Sequence, residues 1–339
     1  LLNYKKSLRI SFFISWSFGF GYFLSNLYWI TNSLTFEEIF KPLIPFALIL
    51  IPLFLGIFFG LVTFICCFFN LKKNFSSILI FALIFSIIEF FRGIILGGFP
   101  WNLIAYSWTN YINSIQILSL IGTYSFNLIS ITIFLLPLIC IFDKSLNFKI
   151  TSFAILIIFL ISNHYYGEWK INQSKVFNDK NIKYKIKVVS PQIAIKRFLD
   201  TESPEEIINE LIKLSKPNPL EKTIFIFPEG ILSSIYLEDL QNYKYLFLQN
   251  FSNNHILLMG LNTKEVNNGK KKIYNSLVVL DNNTKLLAKY KKNKLVPFGE
   301  FLPFEDFFLK IGLKKITYGY QSFSSGKKRN VIEINNFKF

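Results

Sequence analysis

Long apolar runs fill the first half of the chain, and much shorter alternating runs fill the second. Runs at 10–30, 43–69, 78–91, 115–142 and about 150–162 carry almost no charge. Crossing a bilayer takes about 20 predominantly apolar residues, so residues 1–165 are expected to form a membrane domain of about five transmembrane helices. A cleavable secretory signal does not account for five such runs. The third run is short and ends in Glu89 and Arg92. The loop that follows breaks helix with Gly97, Gly98 and Pro100 and carries Trp101, Tyr106, Trp108 and Tyr111. Its aromatics suit a membrane–water interface; the sharper alternative is a re-entrant segment that admits lipid, with Glu89 and Arg92 either a helix-end pair or part of that entrance.

A polar linker at 166–183 separates this half from a domain expected over 184–339. Residues 184–190 alternate as a strand does. Ser203-Pro204-Glu205-Glu206 reads as an N-cap, a proline at the first helical position and a capping-box glutamate. Strands are expected at 223–227, 255–261, 273–280 and 286–290, the last two flanking Asp281-Asn282-Asn283, with a helix at 237–251. Strands alternating with helices and closing on a hairpin indicate an α/β layered domain.

Charge sharpens the division. The chain carries 37 Lys/Arg and 21 Asp/Glu, a net charge of +16. Residues 1–165 hold only 9 basic and 4 acidic residues, leaving 28 basic and 17 acidic residues, +11 of the +16, beyond them. The lysines are scattered among Asn and Ile rather than striped along a helix face, which argues against nucleic acid as the partner, whereas an anionic membrane surface fits. Lys5, Lys6 and Arg9, then Lys72 and Lys73, then Lys144 and Lys149 fall on one side of five crossings. The positive-inside rule puts that side in the cytoplasm and the C-terminal domain outside. Cys66, Cys67 and Cys140 all sit in apolar runs and read as inert thiols; the second half has no cysteine. No cofactor or metal site is expected.

Three residues are placed for chemistry. Ile224-Phe225-Ile226-Phe227-Pro228-Glu229 is an apolar strand ending in a carboxylate, and α/β sheets concentrate function at such strand ends. Desolvation there is expected to raise the pKa of Glu229 towards that of a general base. Lys292 and Glu300 flank Leu-Val-Pro-Phe-Gly, an apolar turn out of place on a purely solvated face. Lys292 could stabilise an oxyanion, and Glu300 could orient it. Neither a cysteine nor a Gly-x-Ser-x-Gly elbow supplies a nucleophile in this half.

Phe-Pro-Glu229, Tyr274-Asn275-Ser276 and Tyr290-x-Lys292-x-x-Leu-Val-Pro-Phe-Gly-Glu300, preceded by five spans, resemble the apolipoprotein N-acyltransferases, membrane-embedded members of the nitrilase superfamily. Glu89-x-x-Arg92-Gly93 and Gly98-Phe99-Pro100-Trp101 are similar to that family's motifs in the membrane half. The resemblance runs from about residue 15 to 305. It implies a layered α-β-β-α nitrilase-like domain facing the periplasm from the bacterial inner membrane. It implies transfer of an acyl chain from a phospholipid to the α-amino group of a lipoprotein's diacylglyceryl-cysteine. By motif position Glu229 would be the general base, Lys292 the stabiliser of the tetrahedral intermediate and Glu300 an auxiliary acid. Pro100, Trp101, Tyr274 and Asn275 would contact substrate or lipid. A cysteine thioester would carry the acyl group, and its Cys is expected beyond Phe339 in a chain incomplete at both ends. The alternatives are a membrane-anchored carbon–nitrogen hydrolase of the same superfamily and a catalytically dead lipid-binding module.

Overall fold

A computed structural model describes residues 8–35, 38–69, 71–142, 145–175, 184–191, 203–267, 269–297, 299–301, 322–328, 331–334 and 337–338. They fall into two units, Leu1–Asn178 and Asp179–Phe339, each described by itself.

The first unit is helical. Helix α1 (Leu8–Leu27) packs along α2 (Ile44–Cys66), a fit that depends on small residues. A Cβ on Gly56 would lie 2.9 Å from the Trp16 carbonyl oxygen, and one on Gly19 would lie 2.8 Å from Cβ of Phe59. Close backbone approach of this kind is how helices associate where apolar surface alone gives no drive. Phe23, Leu27, Leu55, Phe59 and Phe85 form the core between them and α3 (Phe75–Arg92). Helix α3 starts at Asn74, whose side chain accepts from the Ser77 N–H at 3.0 Å, a standard N-cap. Helix α4 (Leu118–Leu135) is kinked at Gly122, which has φ of +74°, a conformation that favours glycine. Helix α5 (Leu146–Lys175) is 30 residues long.

Among the described residues, four helical stretches are long and apolar enough to cross a membrane: Phe40–Phe69, Phe75–Arg92, Leu118–Phe142 and Leu146–Gln173. The expectation was about five, and the difference lies at α1. The run expected first does form α1, but Ser, Gly, Trp, Tyr and Asn dilute its apolar character. The run expected at about 150–162 belongs to a much longer helix.

The second unit is built on a five-stranded sheet in the order β1-β2-β3-β4-β5. Strands β1 (Lys185–Val188), β2 (Thr223–Ile226) and β3 (His255–Asn267) are parallel; β4 (Lys270–Leu280) and β5 (Leu286–Lys291) continue antiparallel. Helix α6 (Pro204–Ser215) begins with the expected capping box, Ser203 Oγ accepting from the Glu206 N–H while the Glu206 carboxylate accepts from the Ser203 N–H. The stretch expected as one helix over 237–251 is a 3-10 turn, Asp239–Tyr243, followed by α7 (Lys244–Asn250).

Both faces of the sheet are apolar. On one, Phe225, Leu257, Met259, Leu261, Val278 and Leu280 pack under Ile208, Leu211, Leu240 and Phe247 of the helical layer. On the other, Ile224, Ile256, Leu258 and Val279 cluster with Ile332. A parallel core with both faces apolar is what a layered α/β domain requires. Strands β3 and β4 run several residues beyond their expected ends, because 264–272 is too rich in lysine to read as strand.

Candidate active site

The parallel strands deliver Glu229. Phe227 extends the β2 ladder by donating to the Leu258 carbonyl at 2.9 Å; Pro228 then offers no N–H, and Gly230 turns the chain with φ of +64°, so the glutamate falls where pairing stops. The neighbouring strand makes room for it at Gly260, where a Cβ would lie 2.6 Å from Cα of Glu229. Sequence reasoning placed Gly260 inside a strand without assigning it a role. A glycine in a strand interior is the signal, since it marks close approach of another backbone.

Lys292 follows β5 directly. Its N–H donates to the Asn275 carbonyl at 2.8 Å, carrying the β4–β5 pairing one residue further. Side chains alternate across a strand, so adjacent lysines point to opposite faces. Lys291 lies over the Tyr274 ring, its ammonium 4.0 Å from the centroid, and pairs with Glu265. Lys292 faces the other way. Its ammonium is 3.0 Å from Oε1 of Glu229 and 3.0 Å from Oε2 of Glu300. The 296–300 turn holds Glu300 in place: its backbone N–H donates to the Val296 carbonyl at 2.9 Å and its Oε2 accepts from the Val296 N–H at 2.8 Å. Phe298 of that turn lies outside the described residues.

Asn275 completes the cluster. Its Nδ2 donates to Oε1 of Glu229 at 2.6 Å and to Oε1 of Glu300 at 2.7 Å. Its cross-strand neighbour, Asn262, donates to the Ser233 carbonyl and accepts from the Leu237 N–H through its own carbonyl, pinning the loop beyond Glu229. The structure therefore gathers Glu229, Lys292, Glu300 and Asn275. Tyr274 is not among them; its buried ring lies beside Lys291.

Electrostatics reverse one expectation. Burial does push the Glu229 carboxyl up, but the hydrogen bond and charge of Lys292, helped by the Asn275 amide, outweigh it and leave Glu229 below the usual carboxylate range. The side chain is 61% exposed, so desolvation at this strand end is smaller than the apolar sequence suggested. For Lys292, burial works to lower the pKa, yet hydrogen bonds and charge from Glu229 and Glu300 prevail and hold it above the ordinary lysine value. In geometry the cluster is one lysine amine shared between the carboxyl groups of Glu229 and Glu300. Such an arrangement can take a proton at Glu229 once the ammonium moves towards a developing oxyanion, because the group that depresses its basicity has then turned elsewhere. Among the described residues no three His, Cys, Asp or Glu side chains gather as metal ligands.

Pro100 and Trp101 belong to the helical unit. Arg92, 1% exposed, donates through Nη1 to the carbonyls of Phe99 and Trp101 at 2.8 and 2.7 Å, and through Nη2 to Glu89 at 3.2 Å. Asn127 of α4 donates to the other Glu89 oxygen and accepts from the Ala105 N–H at 2.9 Å. Glu89 and Arg92 are thus a buried pair that fastens the 93–102 loop to two helices. The loop folds back tightly: Gly98 has φ of +84°, and a Cβ there would lie 2.3 Å from the Gly93 carbonyl oxygen. The carbonyl of Pro100 accepts from the Tyr106 hydroxyl at 3.1 Å, and Trp101, half-exposed, stacks on Trp29 with ring centroids 5.2 Å apart.

Residues 1–136 match the family profile described as the apolipoprotein N-acyltransferase N-terminal domain. Proteins named apolipoprotein N-acyltransferase are similar over nearly the whole chain. The Brucella melitensis protein is 26% identical over 336 residues, covering 97% of this chain and 62% of that protein. The Sinorhizobium medicae protein is 28% identical over 339 residues, with 97% and 62% covered. The Rickettsia prowazekii protein is 28% identical over 334 residues, with 96% and 64% covered. The chain spans less than two thirds of the length of these curated relatives.

Proposed function

We propose that the chain, similar over nearly its whole length to proteins named apolipoprotein N-acyltransferase, transfers an acyl chain from a membrane phospholipid to the α-amino group of a diacylated lipoprotein. Among the described residues, four helices long and apolar enough to span a bilayer suit a multi-pass membrane protein with lipid substrates. The observation that carries the catalytic reading is the ammonium of Lys292 at 3.0 Å from both Glu229 and Glu300.

In the proposed sequence a cysteine thiol, supplied from outside residues 1–339, loses its proton to Glu229 and attacks the ester carbonyl of the phospholipid. Lys292 neutralises the oxyanion. The intermediate collapses to a thioester as the proton on Glu229 passes to the departing lysophospholipid alkoxide. The lipoprotein amine then attacks the thioester; Glu229 takes the amine proton, an amide forms, and the thiolate leaves and regains that proton. Glu300 stays paired with the ammonium as it turns towards the oxyanion in each half-reaction. Pro100 and Trp101, both exposed, are assigned to lipid contact, and the buried ring of Tyr274 is not. The Lys/Arg pattern supports a catalytic domain on the periplasmic side of the bacterial inner membrane.

The test uses the full-length protein with a diacylated lipopeptide and phospholipid vesicles. Glu229→Gln and Lys292→Ala should each abolish both thioester formation and N-acylation, a loss of at least ~10³-fold, as for removing a principal oxyanion stabiliser. Release of free fatty acid or ammonia without N-acylation would favour a hydrolase. Full acylation by both variants would sink the catalytic reading.

A further inference from the structure

We infer that Asn275 is a positioning residue that allows two carboxylates to share one lysine ammonium. The inference deepens the acyl-transfer reading and rests on it. Oε1 of Glu229 and Oε1 of Glu300 lie 2.6 and 2.7 Å from the same Asn275 nitrogen, and 3.0 and 3.1 Å from the Lys292 nitrogen. Two anionic oxygens are thereby confined within a few ångströms of each other, with a single positive charge between them. Like charges so close cannot both stay ionised without donors to offset them; either one carboxyl takes a proton or the two splay apart. The primary amide of Asn275 has two N–H groups and can offer one to each carboxylate. It adds no charge, so the lysine remains free to turn towards an oxyanion while the carboxylates stay aligned.

The backbone around Asn275 makes the placement rigid. Its carbonyl accepts from the Lys292 N–H at 2.8 Å, so the amide that spaces the carboxylates and the strand that positions the ammonium are tied together as neighbouring strands of one hairpin. Its partner across β3, Asn262, anchors the loop after Glu229. Asn275 therefore touches every member of the cluster, through side chain or backbone. A role in substrate contact would leave its amide free for substrate; here both carboxylates claim it.

The experiment compares the pH profile of kcat/KM for acyl transfer in the full-length protein and in Asn275→Ala, Asn275→Gln and Asn275→Asp, with melting temperature measured for each. Asn275→Ala should lose about 10²-fold, the scale of a misaligned reacting group. Its acid limb should move to higher pH, because a hydrogen bond that favours ionised Glu229 is gone. Asn275→Gln keeps both N–H donors and should recover about tenfold of that loss, whereas Asn275→Asp, which adds a third carboxylate, should fall below Asn275→Ala. An unshifted acid limb in Asn275→Ala, or equal losses in Asn275→Ala and Asn275→Gln, overturns the positioning role. Absence of acyl transfer in the unsubstituted full-length protein overturns the acyl-transfer reading beneath it, and activity retained in Lys292→Ala overturns the catalytic cluster; neither outcome resembles a failure of the positioning role alone, which separates them.

Discussion

At the scale of single residues, the neighbouring lysines 291 and 292 divide structure from chemistry. They differ by one position on an extended chain, which turns Lys291 towards Tyr274 and Glu265 and Lys292 towards Glu229 and Glu300. Lys291→Ala should therefore keep acyl transfer within about threefold of the parent. The change removes a cation–π contact and an ion pair, each worth ~1 kcal/mol or less at a partly exposed site. Comparison with Lys292→Ala in the same assay checks the register, and a Lys291→Ala protein as dead as Lys292→Ala would show that it is wrong. The sequence could name Lys292 because a basic residue next to an apolar Pro-Phe-Gly turn is unusual. It could not show the sign of the Glu229 shift. An apolar strand leading to a carboxylate argues for burial, but the cation that overrides burial comes from 63 positions away.

Among the elements, the short strands were read at their correct places because each is a compact apolar run bounded by polar turns. The ends of β3 and β4 were not, since Lys264 and Lys270–Lys272 form strand through hairpin pairing and not through any buried face. The 3-10 turn before α7 was equally hidden in a run that reads as one continuous amphipathic helix. Gly260 is the element-scale feature with the most direct consequence. Gly260→Ala would drive a methyl group into the Glu229 backbone, with 2.8 Å to the Gly230 nitrogen and 3.0 Å to the Pro228 carbonyl as well. Backbone cannot yield there as a flexible side chain would. Acyl transfer should fall by about 10²-fold while Lys292 keeps its place, a loss seen in kcat more than in KM. An unchanged kcat would mean that the Glu229 strand end is free to move without cost.

On the scale of the whole molecule, the division into an apolar helical half and a lysine-rich α/β half was legible in the apolar runs and in the charge. Length and hydropathy define a stretch that could cross a bilayer, but α1 lies near that border and its packing on α2 is a tertiary fact. The same scale carries the topology. An alkaline phosphatase reporter, which becomes active only outside the cytoplasm, should be active when fused after Lys175; an inactive fusion would overturn the orientation.

The buried network of Glu89, Arg92 and Asn127 bears on how the protein is made. Helix α3 leaves the ribosome before α4 exists, so its two charged side chains reach the membrane before Asn127 can receive Glu89. Charged residues are costly in a segment that must partition into lipid on its own. Integration of α3 should then wait for α4, the two entering as a hairpin instead of one after the other. A reporter fused at residue 113, ahead of α4, should export poorly and gain efficiency when Glu89 and Arg92 are both replaced by leucine, whereas the fusion after Lys175 should need no such help. The residues that fasten the loop in the finished protein would in this way also set the order in which its helices are committed to the bilayer.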